Sequence, residues 1–303
     1  MTAPTCYHRA FGLRLALPLP CPVLPVDQGG ASADISATWG TLPATLPDAA
    51  LTDGPYQFTP TRFLYNASAD GCRFLVENGT TITIERTPAA SDEAICFHLL
   101  DLPLVMALLQ RGLIVLHANA VATPWGAVAV GGDSGAGKST LLATLLAQGH
   151  PMLSDDAAAI CLDGQGHPLV LPGIPHYHLL DDAADRLGQS VSGLPRRKWG
   201  VPKTTVTAQE RLADQPAPLR LLITLHVGDR PDLTCTPLHG ADRLEAIRAH
   251  LYGVESLLDQ RPYFRQLTAI AATVPVWRIE RPRDRWTIPQ ISAWIADTLR
   301  HAA

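Results

Sequence analysis

From position 132 the chain reads Gly132-Asp133-Ser134-Gly135-Ala136-Gly137-Lys138-Ser139, followed by Thr140. Glycines at 132, 135 and 137 let the backbone fold so that successive N–H groups point inward, the arrangement that cradles phosphate oxygens. Lys138 adds a mobile cation for β- and γ-phosphates, and the Ser139 hydroxyl is a hard oxygen ligand suited to Mg2+. The chemistry is nucleotide binding, with ATP and Mg2+ as expected cofactors and residues 132–140 as the expected contacts. Context supports the pattern, because the apolar run Ala127-Val-Ala-Val130 precedes it and helical spacing over 139–148 follows. That helix presents its positive N-terminal end to the same anion. A glycine turn that binds nothing is the competing explanation, and the flanking strand and helix disfavour it.

Gly149 is placed to end the helix, and Pro151-Met-Leu-Ser-Asp155-Asp156 reads as an apolar strand closing in two carboxylates. A strand beside a phosphate loop commonly supplies an Asp for the metal. With two, one can help hold Mg2+ while the other accepts a proton from an attacking hydroxyl. The plainer alternative is a helix start, since Asp-Asp before Ala157-Ala-Ala is also a capping signal.

Three further clusters carry possible chemistry. Arg196-Arg197-Lys198, within a loop-like stretch, offers donors that can close over a triphosphate or grip a carboxylate on a peptide, and it reads equally well as a solvated loop. His176 and His178 alternate along an extended segment and lack a partner at metal spacing, so they read as structural. Arg281-Pro-Arg-Asp-Arg-Trp286 reads as a charged connection ahead of the last helix.

The elements that must position these groups are legible. Residues 11–17, 56–58, 72–76 and 80–84 are short β-like runs, with Asn78-Gly79 as a hairpin turn. Helical spacing takes over from 95 to 110. Continuous apolar runs at 113–116, 127–130 and 219–227 read as buried strands. Helices are expected over 242–251, 263–271 and 288–300, with a strand over 274–279. The fold class is α/β: a small β-rich domain over 1–94, then a catalytic domain over 95–303 built around the phosphate loop.

At 303 residues, 47% hydrophobic and 17% charged, the chain buries a sizeable core, which excludes disorder as its main state. A net charge of −4 gives no global attraction to nucleic acid or anionic lipid, so neither is an expected partner. Six scattered cysteines form neither a disulfide nor a zinc framework and suit a reducing cytoplasm. No apolar run reaches membrane-spanning length, and prolines interrupt the N-terminal one, so the chain reads as cytoplasmic, with homo-oligomerisation left open.

Taken together, His117, the glycine loop fifteen residues later, Gln148-Gly-His and the strand ending in Asp-Asp resemble the catalytic domain of bacterial HPr kinase/phosphorylase. The resemblance covers about residues 113–160 and fades by about 180. It implies a protein serine kinase whose phosphate loop sits in a fold similar to phosphoenolpyruvate carboxykinase. It further implies Lys138 as the phosphate-binding lysine, Ser139 as a Mg2+ ligand, Asp156 as the proton acceptor and His117 as a catalytic-site residue. By itself, His117 at the end of an apolar run reads as a core histidine. With Asp156 as the proton acceptor, Asp155 is the one of the pair expected to help hold Mg2+; where the family carries a metal-binding Glu in E-x-x-G, this chain has Val170-Leu-Pro-Gly173, which leaves that ligand absent or replaced. The layout as a whole is similar to stand-alone HPr-kinase-like proteins, some of which phosphorylate the C-terminal residue of lasso-peptide precursors. The expected substrate is a hydroxyl on a peptide or protein. A small-molecule phosphotransferase and a nucleotide-sensing regulator are the alternatives.

Overall fold

The computed structural model describes residues 5–30, 32–196, 203–252 and 260–302. The architecture is mixed α/β with several sheets, and the chain divides into two compact units. One rests mainly on residues up to Val115, the other on Leu116–Tyr252 and the chain from Arg265.

The first unit holds β1 (Cys6–Ala10), β2 (Leu13–Leu17), β3 (Ile35–Trp39), β4 (Leu51–Asp53), β5 (Tyr56–Phe58), β6 (Arg62–Ala67), β7 (Cys72–Glu77) and β8 (Thr81–Arg86). They form one sheet in the order β1-β2-β3-β8-β7-β6-β5-β4. Asn78 and Gly79, at φ 54° and 65°, turn β7 into β8, the left-handed pair that a two-residue hairpin demands. Alternate side chains, Phe74, Val76, Ile82 and Ile84 among them, form the buried face.

The helical stretch expected over 95–110 is two helices, α1 (Asp92–Leu100) and α2 (Leu102–Gln110). Asp101 breaks them at φ −89°, ψ −117°, because Pro103 can occupy the first turn of a helix but cannot continue one. Ser91 caps α1 by accepting a hydrogen bond from the Ala94 N–H. Both helices pack on the first sheet, against β6 and β7. The units therefore part at Val115/Leu116 instead of at residue 94, where only the element type changes. The tertiary fold also brings Cys21 and Cys96 together, with Sγ atoms 2.7 Å apart, a pairing the sequence spacing does not suggest.

After β9 (Ile114–Leu116), the second unit comprises β10 (Ala118–Thr123), β11 (Gly126–Gly132), α3 (Lys138–Ala147), β12 (Met152–Ser154), β13 (Ala158–Leu162), β14 (Pro168–Val170), β15 (His176–Leu179), α4 (Asp181–Arg186) and β16 (Thr204–Thr207). It continues with β17 (Ala217–Gly228), β18 (Thr234–Leu238), α5 (Gly240–Arg248), α6 (Gln260–Thr273) from Arg265 onward, β19 (Val276–Pro282) and α7 (Ile288–Ala302). In its main sheet β12-β10-β11-β17-β14-β13 are successive neighbours, with β19 beside β17 and β18 beside β19. β11, β17 and β19 run parallel.

One face of these strands, with Val128, Val130, Ile223, Leu225 and Ile279, packs against Leu141, Leu142, Leu145 of α3 and Ile291, Ile295 of α7. That apolar layer fixes the start of α3 at the carboxyl end of β11. Among the described residues, no helix is long and apolar enough to cross a membrane.

Candidate functional site

In open α/β sheets the carboxyl ends of parallel strands form a natural ligand crevice. Here Gly132 ends β11, His226 lies near the end of β17 and Arg281 near the end of β19. β12 is antiparallel to β10, so the start of β10 and the end of β12 reach the same rim. His117 and the Asp155-Asp156 pair are thereby delivered beside the glycine loop.

The loop conformation depends on its glycines. Gly132 has φ 144°, and a Cβ there would stand 2.2 Å from the Leu225 carbonyl oxygen, so only glycine lets β11 lie this close to β17. Gly137, at φ 105°, occupies the N-cap of α3 with no side-chain cap. The first-turn N–H groups of Lys138, Ser139 and Thr140 have no intrahelical acceptor and open toward the cleft. Lys138 is only 8% exposed and donates from Nζ to the carbonyl oxygens of Gly132 (2.6 Å) and Asp133 (3.3 Å). Burial lowers its pKa below the usual lysine value, with Asp156 opposing the shift and Lys203 reinforcing it.

A cleft of about 770 Å3 extends from the loop. Asp133, Ser134, Gly135, Gly137, Lys138, Ser139 and Thr140 line it, as do His117 and Asp156. Gly132 and Ala136 instead supply loop backbone, whose carbonyls accept from Lys138 and Arg281. His117 Nε2 lies 3.7 Å from Asp156 Oδ1. Desolvation lowers the His117 pKa, outweighing the pull of Asp156, so the ring favours its neutral form. Asp156 sits in the left-handed region at φ 69°; its N–H faces Asn119 Oδ1 at 3.5 Å, and its carbonyl accepts from the Tyr252 hydroxyl at 3.3 Å. That left-handed turn ends the extended run of β12, and the Asp156 side chain lines the cleft.

The two carboxylates part ways. Asp155, expected from the sequence to hold Mg2+ with Ser139, turns inward: its side chain is 4% exposed, and Oδ2 accepts from the His178 N–H at 2.9 Å. His178 Nδ1 is 3.4 Å away. Asp155 thus ties the end of β12 to β15 and does not line the cleft.

The basic loop is likewise not at the cleft wall in its described part. Arg196 pairs with Asp181, and Arg197 and Lys198 lie outside the described residues. Other cations, which sequence reasoning missed, line the cleft: Lys203, Arg186, Arg281 and Arg283. Arg281 corrects the reading of its segment as a mere connection, because Nε donates to Ala136 O (2.7 Å) and Nη2 to Gly135 O (3.1 Å). Trp286 lies in the same wall under the Arg186 guanidinium, 5.3 Å from ring centroid to Cζ. For Arg281 and Arg283 the sequence signal is the density of arginine over 281–285; Arg186 and Lys203 have none.

Oxygen donors on the cleft wall, the Ser139 and Thr140 hydroxyls and the Asp156 carboxylate, are of the kind Mg2+ takes when phosphates supply the rest of its shell. Among the described residues no three His, Cys, Asp or Glu side chains converge as a protein-only metal site.

No protein-family model matches the chain, and no curated protein matches it. Among solved structures, the HPr(Ser) kinase/phosphatase from Coxiella burnetii is similar at 12% identity and a TM-score of 0.33, over 62% of this chain and 99% of that one.

Proposed function

We propose that this chain is an ATP- and Mg2+-dependent phosphotransferase that moves the γ-phosphoryl group to a hydroxyl. The observation that carries the reading is the meeting, in one cleft, of an uncapped helix N-terminus and the nearly buried Lys138 with the His117–Asp156 pair. The first group binds phosphates; the second can handle a proton beside them.

In this reading the loop N–H groups and Lys138 hold the β- and γ-phosphates, and Arg281, donating to the Ala136 and Gly135 carbonyls, keeps the loop in its binding shape. Ser139 and Asp156 would hold Mg2+, which when bound neutralises phosphate charge. The acceptor oxygen attacks the γ-phosphorus, an O–P bond forms as the bond to the β-phosphate oxygen breaks, and ADP leaves. The hydroxyl proton passes to an Asp156 carboxylate oxygen, with the neutral His117 ring alongside to orient that carboxylate. Asp155 acts as a positioning residue, anchoring the strand that presents Asp156.

The acceptor proposed first is a serine hydroxyl of a peptide or protein, in the finer form the C-terminal residue of a lasso-type precursor, gripped partly by Arg196, Arg197 and Lys198. A small-molecule acceptor is the second reading, favoured by a further cavity of about 450 Å3 that adjoins His117. Calorimetry with Mg·ATP tests the common core: Lys138→Ala is expected to weaken binding about 10- to 150-fold, and unchanged affinity refutes the phosphate-site assignment. Product mass after incubation with ATP and each acceptor class decides between the two.

A further inference from the structure

The cavity of about 450 Å3 adjoins the cleft, and His117, Asp133 and Ser134 line both. Phosphoryl transfer needs two ligand spaces that meet at the transferred group, one for the nucleotide and one for the acceptor. Residues common to two adjoining cavities mark such a meeting point.

The lining of this second space has a definite chemistry. Asp242 and Glu245, three apart, share one face of α5, and Asp133 adds a third carboxylate, 3.7 Å from His226 Nδ1. Arg278 is the only lysine or arginine on the lining, and among the described residues none of Asp242, Glu245 and Arg278 is in an ion pair. His250 packs against Gly131, where a Cβ would meet its ring at 2.4 Å. Burial and the neighbouring His226, Lys138 and His117 push its pKa down to about 4, so it adds no positive charge near neutrality.

Thr224 supplies an independent observation. It alternates with His226 along β17 and so faces the same side. It is 2% exposed, and its hydroxyl has no hydrogen-bond partner although it lines the cavity. A buried hydroxyl left unpaired in the free protein is costly unless a ligand pairs it.

We infer that this second cavity takes the acceptor, and that the acceptor carries an ammonium or guanidinium group close to its hydroxyl. The inference rests on the phosphotransferase reading and deepens it. Asp242 and Glu245 hold the cation, Thr224 pairs with a polar atom of the bound group, and the acceptor hydroxyl projects past His117 toward the γ-phosphate. The same chemistry can come from a free amino alcohol or from a serine beside a lysine in a peptide.

The test compares ethanolamine and the N-acetylated, C-amidated peptide Ala-Lys-Ser-Ala with their uncharged counterparts, ethylene glycol and the equally blocked Ala-Gln-Ser-Ala, as acceptors from Mg·ATP. The expected result is transfer to at least one cationic probe, at a KM about 10-fold or more below that of its uncharged counterpart. Which probe is used identifies the source. In Asp242→Asn/Glu245→Gln that preference is expected to disappear. Thr224→Val is expected to raise the acceptor KM without lowering Tm, which separates ligand contact from a packing role. Equal use of charged and uncharged probes, or a preference that survives the double substitution, overturns the inference. If no probe is phosphorylated, binding of both cationic probes is measured by NMR with Mg·ADP present. No binding then overturns the inference while Lys138-dependent ATP binding leaves the broader reading standing; loss of that ATP binding defeats the reading itself.

Discussion

Arg281 donates from Nε to the carbonyl oxygen of Ala136, joining residues 145 positions apart in the chain. The contact turns the end of β19 into a brace for the glycine loop. Hydrogen bonds from a charged donor contribute about 1.5–3 kcal/mol. Arg281→Lys keeps the charge but cannot span Ala136 and Gly135 together, so ATP affinity is expected to fall about 10-fold, with a lower Tm. Calorimetry and thermal melts check both; an unaltered affinity would show that the loop holds its shape unaided.

The adjacent aspartates are expected to fail differently. Asp156→Asn suits the left-handed backbone, which asparagine tolerates; it keeps an oxygen that can face Mg2+ and removes the carboxylate proposed as the proton acceptor. Transfer should drop about 10²- to 10⁴-fold with ATP affinity held within a few-fold. Asp155→Asn should instead lower Tm, because the buried side chain ties β12 to β15, and should slow transfer less. Single-turnover rates beside unfolding curves separate the two; the opposite ranking would exchange their roles.

Gly132→Ala drives a Cβ against the Leu225 carbonyl oxygen, at 2.2 Å, in a backbone conformation that alanine resists. The variant is expected to lose about 1–3 kcal/mol of stability. Gly149→Ala is the comparison: it also has positive φ, 91°, but open space around the added methyl, so its loss should be smaller. Urea unfolding measures both, and equal losses would mean that strain, not the clash with β17, dominates.

His250 sets a pH dependence. Its folded pKa of about 4 lies below the ordinary 6.5, so between these values the unfolded chain binds more protons and stability rises with pH. The benefit is complete above about pH 6.5 and is lost as pH falls toward 4, a change of roughly 3 kcal/mol. His250→Gln should flatten this part of the profile in urea unfolding at pH 4.5, 5.5 and 7. Parallel losses in both proteins would place the sensitivity elsewhere.

What the sequence determined by itself is local. Gly132, Gly135 and Gly137 specify the loop's positive-φ turns because glycine adopts those backbone angles without penalty, and the apolar runs around them specify strand and helix by period. Asn78-Gly79 specify their turn for the same reason. Side-chain direction and long-range pairing were decided only by the tertiary structure. Asp155 and Asp156 are neighbours of identical chemistry, but Asp155 accepts from the His178 N–H while Asp156, left-handed at φ 69°, lines the cleft. Arg281 looked like a surface charge until β19 was laid parallel to β17, which carried its guanidinium to the loop. The boundary of the first unit moved to Val115 because α1 and α2 bury their apolar side chains on β6 and β7, and burial is a property of the packed chain.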